Sequence, residues 1–165
     1  MKKKSIYLFK SVPEIFVLQK VMYKIYSVLK HPSLFITGAS LCRYEKQDSI
    51  KIPFLRRNKN LLGSMAFGPI STGAECAAFF PFGKVIVSKG LAIKGIVNAG
   101  RFEINKPFRS DITFRPEVLD IESIFEGVWI KKSVEVQVCA FDVNDEVVGA
   151  FYFEVALKKR DCNEI

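Results

Sequence analysis

The stretch from Pro69 to Phe80 constrains this chain more than any other. Its 12 residues carry a single charge, Glu75, and four small side chains, Gly73, Ala74, Ala77 and Ala78, set among apolar and aromatic ones. Such a segment gains little from water on all sides, and its small side chains let the backbone approach a neighbouring layer closely. A buried helix over 69–80 is therefore expected, ended by Pro81 and Gly83.

Segments able to form the layer that receives it lie on both sides. Upstream, Phe35 to Tyr44 and Ser49 to Phe54 read as strands joined by the polar turn Glu45-Lys46-Gln47-Asp48, which predicts a hairpin. Downstream, strand character runs through Lys84 to Lys89, Ala92 to Val97, Ala99 to Asn105, Asp111 to Arg115, Lys132 to Val143 and Glu146 to Lys158. Ser133-Val134-Glu135-Val136-Gln137-Val138 alternates polar and apolar, and Asn144-Asp145 turns the chain into the last strand. Val118, Leu119, Ile121, Ile124 and Phe125 allow a short helix between Pro116 and Phe125, closed near Gly127.

Ahead of these elements, Ile15, Leu18, Met22, Ile25 and Leu29 recur at helical spacing and predict an amphipathic helix over 13–30, with Pro13 in its first turn and His31-Pro32 at its end. A basic amphipathic helix can lie on a membrane surface, although packing against a sheet is the commoner use. The order of elements is that of an α+β fold in a single domain over 1–165, with a polar tail at 159–165. One helix covers only part of such a sheet, so pairing with a second copy through an edge strand is expected, as a homodimer or homotetramer.

Composition narrows the partners. Hydrophobic residues make up 49% and charged residues 25%, enough to form a core and unlike a disordered chain. The net charge of +8 favours anionic partners. No RNP-like sequence, zinc finger or helix-turn-helix accompanies it, so nucleic acid is not expected. Cys42, Cys76, Cys139 and Cys162 are scattered, with no CxxC and one histidine, so neither a metal site nor a disulfide framework is expected, and a reducing cytoplasm fits. The apolar run near Met1 is too short for a signal peptide, and integral membrane association is not expected.

The chemistry concentrates at the entrance to the buried helix. The run Asn60-Leu61-Leu62-Gly63-Ser64-Met65-Ala66-Phe67-Gly68-Pro69-Ile70-Ser71-Thr72-Gly73-Ala74-Glu75 resembles the N-x-x-G-[ST]-H-x-x-G…A-[DE] signature around the central helix of the hotdog fold, as in acyl-CoA thioesterases of the phenylacetate-pathway type. It is closer still to an uncharacterised hotdog family with an extra N-terminal amphipathic helix and a basic R-N-x-N run before the signature. The similarity covers roughly residues 13 to 158. It implies a curved antiparallel sheet wrapped around a central helix, and hydrolysis of an acyl-CoA or acyl-carrier-protein thioester, with coenzyme A only as part of the substrate.

The residues allow that chemistry on physical grounds. A helix N-terminus near Gly68, Ile70 and Ser71 offers backbone N–H groups to an oxyanion. Gly63 and Gly68 permit close approach by a ligand. Glu75 is the only acidic residue between Asp48 and Glu103, and partial burial would suit it to act as a general base. By resemblance it occupies the position of the helix-borne carboxylate, and Asn60 that of the residue orienting water or substrate. Thr72-Gly73-Ala74-Glu75 is equally a capping-box pattern, and Asn60 equally a turn residue.

Ser64, Met65, Phe67 and Phe79 are placed as substrate-binding residues, the last two as lining for an acyl tunnel. Arg56 and Arg57, with Lys59, are candidates for coenzyme A phosphates or an acidic carrier protein. Met65 departs from the signature, which commonly has His there. That departure keeps a second function open, a non-catalytic acyl- or lipid-binding module.

Overall fold

The computed structural model describes residues 20, 21, 23–25, 28, 29, 31–45, 47–117, 121–127 and 130–159. Most of the helix expected over 13–30 and the tail from residue 160, with Cys162, lie outside the described residues. Those described between 20 and 29 are helical. The elements that follow are α1 (Pro32–Thr37), β1 (Ser40–Tyr44), β2 (Gln47–Ile52), a 3-10 turn (Arg56–Asn58), α2 (Phe67–Ser88), β3 (Ile93–Ile104), β4 (Ile112–Glu117), α3 (Ile121–Ile124), β5 (Lys131–Phe141) and β6 (Val147–Lys159).

The six strands form one antiparallel sheet in the order β1-β2-β4-β5-β6-β3. This is the α+β architecture that the order of elements predicts. In β4, Ile112, Phe114 and Pro116 are buried while Thr113, Arg115 and Glu117 are less so, the period of two that directs one face to the core. The two expected hairpins form: Leu41 opposes Ile50 in β1–β2, and Val138 opposes Phe151 in β5–β6.

Helix α2 lies on the apolar face of the sheet. Ile70, Gly73, Ala74, Ala77, Ala78 and Phe82 form its buried side. Gly73 sits directly over β2 and β4, where an added Cβ would come within 2.7 Å of Ile52 and 2.6 Å of Phe114. Tyr23 covers part of the opposite side, with its hydroxyl 3.4 Å from the Cys76 sulfur and its ring edge-on to Phe80. Burial pushes the Cys76 thiol up to about 11. Cys42, Cys76 and Cys139 are free thiols.

Three local expectations are corrected. First, α2 does not stop at Phe80 but continues through Pro81 and Gly83 to Ser88, so Lys84 to Ser88 are helical rather than a strand. A proline in a helix interior costs about 3 kcal/mol. Phe82 beyond it is fully buried and Ile86 packs on the core; burying one such side chain contributes about 1.5–3 kcal/mol, so the two offset the break. The helix ends instead at Gly90 (φ +62°), where Leu91 N–H donates to Ile86 O and Gly90 N–H to Val87 O, a Schellman closure. At this length α2 is the one described helix whose length and composition would suit a membrane span, yet its inner side is packed on the sheet.

Second, Phe35 to Thr37 are helical. Pro32 opens α1 at its first turn, Gly38 (φ +75°) closes it, and β1 begins only at Ser40. Third, Pro116 belongs to β4, and the helix expected from Pro116 to Phe125 is reduced to Ile121–Ile124. Residues 118–120 lie outside the described set.

Candidate active site

The segment leading into α2 is organised by two asparagines. Asn58 is buried, and its side-chain amide donates to Thr37 O and Pro53 O, both at 2.8 Å. Its backbone carbonyl accepts from Ala66 N–H at 2.7 Å. Asn60 is exposed and builds a tight turn. Its Oδ1 accepts from Leu62 N–H at 2.9 Å and Ser64 N–H at 3.2 Å, while its Nδ2 donates to Ser64 Oγ at 2.9 Å. Gly63 completes this turn at φ +73°, a left-handed conformation that an L side chain strains to adopt.

Met65 follows, bridged to Lys59 and donating its N–H to Phe108 O at 2.7 Å. Its side chain is 3% exposed and belongs to the core. An apolar thioether at this position is drawn inward, so Met65 presents little surface at the helix entrance.

Ala66 is the residue before the first turn of α2, and no side chain caps it. Phe67 and Gly68 present their N–H groups from that first turn, and Pro69 has none. Ile70 N–H is already taken by Ala66 O at 3.4 Å, and Ser71 lies one residue further inside. Among the described residues of this entrance, the donors with no acceptor are thus Phe67 and Gly68, one turn earlier than Ile70 and Ser71. Ser71 turns its hydroxyl back to Gly68 O at 3.0 Å. Gly68 meets no atom within 4 Å of an ideal Cβ, so the entrance is open there.

This start also decides between the two patterns around Glu75. Thr72 lies in the second turn of a helix that begins at Phe67, so the capping box does not form. Glu75 is exposed, not partly buried. It lies on the flank of α2 that overhangs β3. Eight residues before it, the Phe67 ring sits 4.7 Å from that of Phe102; four residues after it, Phe79 packs against Gly95. Phe79 is about 18 Å along the helix from Phe67 and half-buried on the sheet. At 1.5 Å per residue Glu75 stands about 10 Å beyond Gly68.

The structure therefore brings Phe67, Gly68, Ser71 and Glu75 onto one open flank, with Asn60, Gly63 and Ser64 in the turn just before it. Arg56 and Arg57 precede this turn, in the 3-10 segment. With Leu55 they line a surface hollow of about 640 Å³, and Arg57 Nε donates to Ile36 O at 2.6 Å.

Two features escape the sequence motifs. Asn58, two residues from the asparagine the motif selects, is the buried one, and only burial distinguishes them. A second hollow of about 380 Å³, lined in part by Tyr44, Lys51, Asp111, Arg115 and Asp145, gathers residues from β1, β2, β4 and the β5–β6 turn. There Arg115 stacks on the rings of Tyr44 (3.4 Å) and Phe141 (3.9 Å) and pairs with Asp145. Hydrogen bonds from Arg115 and from Tyr44 hold the Asp145 carboxyl below the usual range.

No family model matches the chain, and no curated protein matches it. Solved structures do. A Pseudomonas aeruginosa protein of unknown function named "probable thioesterase" superposes with a TM-score of 0.67 at 19% identity, covering 85% of this chain and 95% of that one. A Chlorobaculum tepidum protein of unknown function gives 0.71 at 15% identity, covering 85% and 94%. A Haemophilus influenzae thioesterase gives 0.64 at 9% identity, covering 96% and 99%. The likeness is one of architecture: this chain has the α+β hotdog fold of those proteins.

Proposed function

We propose that this protein hydrolyses an acyl thioester carried by coenzyme A or by an acyl carrier protein, within the thioesterase-like hotdog superfamily and related to the phenylacetate-pathway type. The observation that carries this reading is the open flank of α2: two uncapped N–H groups at Phe67 and Gly68, with Glu75 about 10 Å further along. A glutamate side chain leaning toward the helix N-terminus, one water and a thioester carbonyl fill that interval.

In the proposed reaction Glu75 takes a proton from the water as its oxygen bonds to the carbonyl carbon. The carbonyl oxygen gains the negative charge and is held by the N–H groups of Phe67 and Gly68. Collapse of the tetrahedral adduct breaks the C–S bond, and the sulfur leaves as a thiol with the proton returned from Glu75. Free acid and thiol result, with no cofactor beyond the coenzyme A or carrier of the substrate.

The site is proposed to be completed in a homodimer or tetramer. Strand β3 is an edge of the sheet, and Ile96, Phe102 and Ile104 on it remain 63%, 50% and 47% exposed. A second copy paired there would wall the flank that carries Glu75. The three described free thiols fit a cytoplasmic setting.

Steady-state hydrolysis across a panel of acyl-CoA chain lengths tests the reading. Glu75→Gln should lower kcat/KM by about 10²–10⁴-fold; equal rates would remove Glu75 from the reaction. Buried Met65, which leaves no imidazole at the entrance, favours the other reading, a non-catalytic acyl-binding module. Bound acyl ligand in native mass spectrometry, with no turnover of any chain length, would decide for it.

A further inference from the structure

Leu61 and Leu62 stand at the tip of the Asn60–Ser64 turn and are 105% and 84% exposed. They are not on a loose loop. The three side-chain hydrogen bonds of Asn60 fix the turn, and the Lys59–Met65 bridge fixes its stem. Two adjacent aliphatic side chains are thus held outward on a rigid projection that buries neither.

More exposed apolar residues lie beside the stem: Leu55 at 38%, Phe35 at 51% and Ile36 at 62%. The pieces are tied together. Arg57 bonds Ile36 O, and Asn58 bonds Thr37 O, so the end of α1 and the 3-10 turn form one continuous surface from which the Leu61–Leu62 tip rises. Arg56, Arg57 and Lys59 supply its charge. No carboxylate occurs in the sequence between Asp48 and Glu75, nor between Glu14 and Glu45. Asp111, which reaches this segment through Phe54 N–H, is paired with Lys51 at 2.9 Å.

We propose that this surface docks on a bilayer containing anionic lipid, with Leu61 and Leu62 entering the headgroup–acyl boundary and Arg56, Arg57 and Lys59 facing lipid phosphates. The hollow lined by Leu55, Arg56 and Arg57 is the seat for one headgroup. The tip itself presents only leucine, which is under-represented among the residues that anchor protein partners. A projecting aliphatic tip with cations on the segment at its base matches a negatively charged lipid surface instead. This docking is independent of the thioester chemistry and is measured without it.

The test is co-sedimentation of the full chain with phosphatidylcholine vesicles, with and without about 30% phosphatidylserine, at low and high salt. Binding should require phosphatidylserine and fall with salt, because the attraction extends only about a Debye length. Leu61→Ser with Leu62→Ser should weaken binding about tenfold or more with unchanged thermal unfolding, since neither leucine is packed. Arg56→Glu should weaken it about fivefold or more.

Equal binding to both vesicle types, or leucine variants that bind like the parent, would overturn the proposal. So would a change of oligomeric mass in the leucine variants, which would make the tip a contact between copies. Saturable binding of an acidic carrier protein with no affinity for vesicles would overturn it as well.

Discussion

Gly73 of α2 and Phe114 of β4 are packed so closely that a Cβ on the glycine would stand 2.6 Å from the phenylalanine ring. In an exposed helix, Gly→Ala stabilises by about 1 kcal/mol. Here the methyl must displace Phe114 and Ile52 together, and overpacking of a filled core costs about 1–3 kcal/mol. Gly73→Ala should therefore be net destabilising in urea unfolding, and Phe114→Leu should recover part of the loss in the double variant, a coupling of at least about 0.5 kcal/mol. Additive effects would show that the two residues do not limit each other.

Gly83 gives the opposite sign. It lies in the same helix with nothing within 4 Å of an ideal Cβ. Gly83→Ala should raise stability by about 0.5–1 kcal/mol, chiefly by restricting the unfolded chain. A loss would mean that the helix beyond Pro81 is not retained.

Asn58 and Asn60 should separate cleanly. Asn58→Ala leaves the carbonyls of Thr37 and Pro53 without their buried donor, at a cost of about 1–3 kcal/mol. Asn60→Ala releases an exposed turn and should cost less, about 1 kcal/mol. Chemical denaturation of both variants gives the order, and the reverse order would contradict the burial of Asn58.

Asp111 introduces a dependence on acid. The hydrogen bond from Lys51, followed by that from Phe54 N–H, holds its carboxyl below the usual range. A depressed carboxylate contributes its full stabilisation above its unfolded pKa and loses it as pH falls through the folded value. Asp111→Asn should therefore lower Tm near neutrality, and the gap to the parent should close below about pH 4. A gap that stays constant down to about pH 2 would exclude the ionised pair as its source.

What could be read from the sequence follows a physical divide. The β5–β6 hairpin was legible because Val134, Val136 and Val138 alternate with polar residues and because Asp145 accepts φ +65°. The helix start near Gly68 was legible from glycine and proline chemistry. Its end was not: Pro81 and Gly83 are breakers in isolation, and only the packing of Phe82 and Ile86 outweighs them. Asn58 and Asn60 likewise differ only in what surrounds them, and the placement of Met65 involves a backbone hydrogen bond to Phe108, remote from its motif. Arg115, Tyr44 and Asp145 meet only after four strands are assembled, which no local pattern announces.

Strand β3 pairs with β6 from Ile93–Lys159 to Ile104–Gly149, partners 66 to 45 residues apart. During synthesis the earlier strand must wait until those intervening residues and β6 itself have emerged before it gains that neighbour. Throughout the wait the edge of β3 that β6 will occupy has its backbone groups unpaired, which makes this the interval in which nascent copies are most open to sticking together. Crowded polysomes would feel that hazard before any mature molecule does.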